Sequence, residues 1–313
     1  MRIESSATFI GSAWLCIMLA LASAVTGQVV IVSSDFNDSV QMYSLTGTRI
    51  GAFVPSGGGG LDSPQGITVG PDGNVYVSSA NTDQVLRYAP NGAVLGQFQT
   101  GGGLDQPWFL TFGPGGNLYV SSSLTSQVLC YAADGAFSHV AAEGHGLFRP
   151  DGISFDAQGN MLVSDFFNSR IQKFNPATGN WIADVVTDPG LAQPLENRLS
   201  ADGQTLYVSS YSTNEVRTYD VATGAFLGLA AGSPLIGPVG QLLLPGGTDL
   251  LVAGWQSNTI YKFDANTGAS KGIFTTGGFL NRPNNLTILN IPEPPFASVA
   301  LTIGALPIIR RRR

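Results

Sequence analysis

Glu196, Asn197 and Arg198 are three consecutive polar residues at a point where most other repeats of this chain put glycine, an apolar residue and often Thr or Ser. The equivalent stretches of other repeats add Asp151 and Asn284. Carboxylate and amide oxygens gathered at one point are hard ligands that suit Ca²⁺, Mg²⁺ or Mn²⁺. Glu196 and Asn197, with Asp151 and Asn284 nearby, could form one oxygen-rich cluster around the channel. Their order also argues the other way, because adjacent residues of a strand point to opposite faces. The same residues equally make a structural polar belt with Arg198 pairing Glu196, since polar groups near the axis of a fold must be paired or solvated.

Aromatic residues form a second group. Trp108 follows a repeat proline, and Phe36, Phe166 with Phe167, Tyr211 and Trp255 stand at the start of loops of constant length in four repeats. Rings beside Asn, Gln and Asp side chains suit saccharides or peptides. The expected ligand-binding set is Trp108, Asp151, Glu196, Asn197, Asn284, Phe166, Tyr211 and Trp255. Other chemistry is thinly represented. The two histidines, His139 and His145, fall in Gly-rich sequence and read as solvated loop residues, which leaves general acid–base work to a few carboxylates. Cys130 occupies a variable position, and Cys16 lies in the N-terminal segment, so neither a disulfide framework nor a cysteine metal site is expected. The recurrent Val-Ser-Ser runs read as strand residues, not nucleophiles. No catalytic residue is assigned.

The elements that must position these groups repeat along the chain. Pro64, Pro107, Pro150, Pro194, Pro238 and Pro283 are spaced by 43, 43, 44, 44 and 45 residues, a period that marks a solenoid or a propeller. Each repeat carries a strand after the proline and then a Val-Ser-Ser-like strand, such as Tyr76–Ser79 or Tyr207–Ser210. A third strand follows after an invariant gap, and then a short fourth. Asp-Gly and Gly-Gly pairs supply the positive φ of tight hairpins between strands one and two. Four strands per unit predict an all-β, six-bladed propeller of antiparallel blades over residues 28–290. The chain enters at a second strand and leaves at a first strand, so pairing of the N- and C-terminal strands closes the ring and removes an open edge. In such a blade the fourth-to-first and second-to-third connections share one face, which is the expected binding face.

Both ends differ from the repeat. Residues 1–27 combine Arg2, an apolar run and Ala22-Ser23-Ala24, which reads as a signal peptide for signal peptidase. At the other end, residues 291–313 place Pro292, Glu293 and Pro294 before a short apolar segment and Arg310, Arg311, Arg312 and Arg313. Prolines keep such a spacer extended, and the apolar stretch is short for a permanent span, which implies transient membrane association. Residues 25–292 hold 10 Lys/Arg against 19 Asp/Glu, a net charge of −9. That balance argues against nucleic acid, where phosphate neutralisation sets affinity. A monomer is expected.

The C-terminal residues resemble the PEP-CTERM sorting signal, which implies recognition by an exosortase-type enzyme. The implied destination is the cell envelope, outer surface or extracellular matrix of a Gram-negative-type bacterium. The repeats resemble the NHL family and the related virginiamycin-lyase-like propellers. Leu162–Phe174 and Pro64–Gly73 carry that likeness. The lyases use a His and Glu arrangement, and no histidine stands at an equivalent first-strand position. Six-bladed lactonases of the gluconolactonase type hold an axial divalent ion with a Glu, an Asn and an Asp. That likeness extends to residue types in Glu196, Asn197 and Asp151, not to spacing around the ring. Two functions follow as expectations: a non-enzymatic module that binds polysaccharide or protein, or a metal-dependent lactonase or lyase.

Overall fold

The computed structural model describes residues 27–275 and 278–292. The expected signal peptide up to residue 26 and Glu293, Pro294 and Arg310 to Arg313 of the expected sorting signal lie outside the described residues. Between Gly27 and Pro292 the chain forms six four-stranded antiparallel sheets arranged as a six-bladed β-propeller. Every repeat proline opens the innermost strand of a blade: Pro64–Val69, Pro107–Phe112, Pro150–Phe155, Pro194–Leu199, Pro238–Leu243 and Pro283–Ile291. Blade one takes that inner strand from the C-terminus. Its partner is Gly27–Ser34, with Val30 opposite Ile288 and Val32 opposite Leu286. The expected closure is the observed one.

Burial falls from the axis outward and explains the residue types. The second strands, such as Val75–Ser79 and Leu118–Ser122, are buried along their whole length. They are covered on both faces by neighbouring blades, which selects β-branched and aromatic residues over an alternating pattern. Outer strands such as Val94–Gln97 and Ser270–Ile273 are mostly exposed. Tyr43, Tyr88, Tyr131, Tyr219, Phe174 and Phe263 end the third-strand motif and are fully buried.

The serines of the Val-Ser-Ser motif hold the inner strands. Gln65 and Gly66 together oppose the single residue Ser78, a bulge that interrupts the ladder between first and second strands. Ser78 Oγ accepts from the Gly66 N–H at 2.8 Å and donates to the Trp108 carbonyl of the next blade at 2.8 Å. Ser33 does the same for the Asn285 N–H and the Gln65 carbonyl, and Ser121 donates to the Asp151 carbonyl. The following serine anchors the loop that leads into the inner strand: Ser79 Oγ accepts from the Asp62 N–H at 2.9 Å, and Ser122 Oγ from that of Asp105 at 3.0 Å. These hydroxyls are consumed by backbone groups that would otherwise be buried unpaired.

A second stitch explains the constant gap between strands two and three. Each gap ends on a left-handed residue: Asp38, Asp83, Ser126, Ser169, Asn214 or Asn258. Its side-chain oxygen accepts the N–H of the residue before the proline of the next blade, as in Asp83 Oδ1 to Gln106 at 2.8 Å and Asn258 Oδ1 to Arg282 at 2.8 Å. The same bond joins Asp38 to Ser63, Ser126 to Arg149, Ser169 to Gln193 and Asn214 to Gly237. One inserted residue would misplace that acceptor.

Candidate functional site

The inner strands begin at one end of the propeller, where they meet the loops between second and third strands. A cavity of about 270 Å³ opens there, and its lining includes Trp108, Phe166, Tyr211, Trp255 and Asn284 from the expected set. Phe166, Leu195 and Val239 are buried and pack as its apolar floor, with Trp108, Tyr211 and Trp255 half-buried against them. Tyr211 and Trp255 meet edge to face with ring centroids 6.3 Å apart. Five blades thus contribute to one pocket. The shared face of the two loop classes is what brings residues so distant in sequence together.

Polar groups at the rim are tied into a chain. Asn284 Nδ2 donates to Gln65 Oε1, Gln65 Nε2 donates to Ser63 Oγ at 2.9 Å, and Ser63 Oγ donates to Asp35 Oδ1 at 2.6 Å. The indole N–H of Trp255 donates to Asp35 Oδ2 at 3.4 Å. Burial raises the Asp35 carboxyl, and the bonds from Ser63 and Trp255 pull it back. The chain fixes the Asn284 amide and the Trp255 ring in place.

Two arginines at the mouth were not among the residues expected from the sequence. Arg149 lies 4.0 Å from the Trp108 ring centroid and 4.2 Å from that of Phe166. Arg282 lies 3.7 Å from the Phe36 centroid and 4.0 Å from that of Trp255. Both immediately precede a repeat proline and have positive φ, 59° and 54°. The column before the repeat prolines reads Ser63, Gln106, Arg149, Gln193, Gly237 and Arg282, so these two arginines are its cationic members.

The axial polar residues form a separate cluster. Glu196 and Asn197 line a different cavity of about 250 Å³, enclosed by inner strands farther from the mouth. Glu196 Oε1 accepts from Arg198 at 2.7 Å, while Oε2 accepts the Gln241 N–H at 2.6 Å and Asn285 Nδ2 at 3.4 Å. Asn197 turns to the opposite side. Its Nδ2 donates to the Gly152 carbonyl at 2.8 Å and to Ser164 Oγ at 3.0 Å, and its Oδ1 accepts from Ser154. Gly152 lets the two inner strands approach closely, since a Cβ there would sit 2.4 Å from the Asn197 backbone nitrogen. Glu196 and Asn197, expected as ligands of one ion with Asp151, have separate hydrogen-bond partners. Alternation along the strand sends Glu196 and Asn197 to different neighbouring blades, and each is already bonded. No group of three or more His, Cys, Asp or Glu residues among the described residues is arranged to hold a metal.

Asp151 is buried, and its Oδ2 has no hydrogen-bond partner. Burial pushes its carboxyl up to about 7, against the pull of Arg149 and with a further push from Glu196. His139 also departs from expectation. It belongs to the outer strand Phe137–Ala142, and its Nε2 lies 2.7 Å from the Pro176 carbonyl oxygen. His145 is an exposed loop residue stacked on Trp181, with ring centroids 4.6 Å apart. Neither histidine lines the mouth pocket.

Solved structures share this architecture at low identity. The chain superimposes on a chain of the nidogen/laminin complex with a TM-score of 0.71 and 18% identity, covering 84% of this chain and 98% of that one. A protein of unknown function from Bacteroides caccae gives 0.67 and 13%, over 84% and 99%. Virginiamycin B lyase from Staphylococcus aureus gives 0.60 and 16%, over 83% and 88%. No family model and no curated protein matches the sequence. What these similarities establish is the six-bladed propeller, a fold that hosts unrelated activities.

Proposed function

We propose that this chain is an exported, NHL-like propeller that acts as a non-enzymatic binding module for polysaccharide or protein at its axial mouth. The observation that carries this reading is the convergence of Trp108, Phe166, Tyr211, Trp255 and Asn284 on one pocket. A concave, mostly apolar surface with a few placed polar groups is the ordinary form of a ligand site. Flat rings bury large area at small entropic cost, and the Asn284 amide supplies direction. The described lining contains no carboxylate, histidine or thiol that could move a proton or attack a substrate. Glu196, on which the lactonase alternative depended, is paired with Arg198 instead. The N-terminal apolar run and the Pro292-Glu293-Pro294 tail support export and exosortase-type sorting.

A glycan array probed with the purified protein, with Trp255→Ala and with Trp108→Ala tests the binding reading. Saccharide ligands retained by the wild type and lost by both variants are expected. Ligands bound equally by all three proteins would place recognition elsewhere. Turnover of a lactone on addition of Ca²⁺ or Mg²⁺ would restore the enzymatic alternative.

A further inference from the structure

We infer that the mouth pocket takes a carboxylate-bearing sugar unit, a uronate, whose carboxylate pairs with Arg149; this rests on the binding reading above. Arg149 is half-buried and lines both the mouth pocket and an adjoining groove of about 370 Å³. Three arginines of the propeller hold carboxylates, Arg170 with Asp165 at 2.9 Å, Arg198 with Glu196 at 2.7 Å and Arg217 with Glu215 at 2.6 Å, whereas Arg49, Arg87 and Arg282 hold none among the described residues. Among the described residues Arg149 has no such ion pair. Its guanidinium packs on Trp108 and Phe166, a setting that offsets desolvation by cation–π attraction but uses none of its five N–H donors. Aromatic packing also restrains the planar fork, so a bidentate carboxylate would meet it without much further ordering.

Asp151 beside it is buried and its Oδ2 has no hydrogen-bond partner; burial raises its carboxyl to about 7, so its pull on Arg149 weakens as the pH falls below neutrality. Arg282, stacked on Phe36 and Trp255, repeats the arrangement. General attraction of polyanions is not the reason to expect an acidic ligand. Residues 25–292 carry 10 Lys/Arg against 19 Asp/Glu, so the long-range field opposes an anion and the short-range pair must supply recognition.

The walls favour a sugar over a peptide. A pyranose presents a flat face of C–H groups that lies against Trp and Tyr rings, and its hydroxyls match the amides of Asn284 and Gln193 at the rim. A cavity of about 270 Å³ accommodates one such ring, and the groove beyond Arg149 gives the next unit of a chain somewhere to lie. An acidic peptide carries its carboxylates on flexible stems and brings no rigid face for these rings.

Tryptophan fluorescence titration with tetragalacturonate and with its fully methyl-esterified form tests the inference, because the ester keeps the rings and removes the charge. The acid should bind the wild-type protein about tenfold to a hundredfold more tightly than the ester, as expected for a charge-assisted pair. Arg149→Gln should abolish the preference for acid over ester, and Arg149→Lys should retain part of it. Thermal unfolding checks that both variants fold. Equal affinity for acid and ester, or a preference that survives Arg149→Gln, overturns the uronate assignment and leaves the binding-module reading standing. Failure of both sugars to bind the wild type, with no other glycan bound on the array, removes both readings for saccharides. Poly-glutamate bound through Arg149, without tetragalacturonate binding, also overturns the sugar assignment.

Discussion

Replacing Asp151 with asparagine should stabilise the protein in alkaline solution and do little in acid. The carboxyl is only 4% exposed, and its Oδ2 lacks a partner, so ionising it in place is costly. Its folded value is raised to about 7 from 3.8. A raised acid means that the folded state binds the proton more tightly than the unfolded chain, so stability falls as pH rises between those two values. Three units at about 1.4 kcal/mol each give a loss of about 4 kcal/mol once the pH passes the folded value. Between about pH 5 and pH 8.5 the wild type should lose roughly 3 kcal/mol through this group, and Asp151→Asn should lose none of that part. In a domain of this size that corresponds to a melting difference of about 6–12 °C. The assay is thermal and urea unfolding of both proteins across that range. Acids that do not interact with Asp151 are common to both proteins and cancel in the difference, while the push from Glu196 is part of the Asp151 effect itself. A wild-type-to-variant gap that is constant with pH, or widest in acid, would refute the argument that Asp151 is an uncompensated buried carboxyl.

Ser78→Ala should cost about 1–3 kcal/mol in urea unfolding, because it strands the Gly66 N–H and the Trp108 carbonyl across a blade boundary. Unchanged stability would show that the hydroxyl is not a stitch. Glu196→Ala should cost about 1–3 kcal/mol, since it removes the acceptor of the Gln241 N–H and the partner of a partly exposed Arg198. Calorimetric titration with Ca²⁺ or Mg²⁺ should show no Glu196-dependent binding in either protein; a tight site present only in the wild type would contradict the hydrogen bonding described above.

The architecture was legible because its information is local and repeated. The six prolines mark the starts of six inner strands, the Val-Ser-Ser motif marks the buried second strands, and turn residues separate them. The offset between entry at a second strand and exit at a first strand predicted the closure by Gly27–Ser34 and Pro283–Ile291. Even the convergence of Trp108, Tyr211 and Trp255 followed from repeat position, since equivalent loops of a closed ring must share a face.

What the repeat could not say is which side chain meets which across a blade boundary. Glu196 and Asn197 looked like one cluster because they are adjacent in sequence. Strand alternation separated them, and their partners Gln241 and Gly152 come from different blades. Arg149 stands in the column before the repeat prolines, but only its left-handed backbone and the rings of Trp108 and Phe166 around it mark it as a site residue. Periodicity and turn chemistry depend on neighbours a few residues apart, so the sequence by itself determined the six blades and their closure. Charge, pairing and protonation depend on groups a full repeat or more away, so only the tertiary structure decided which polar residues are spent on holding the ring and which remain at its mouth.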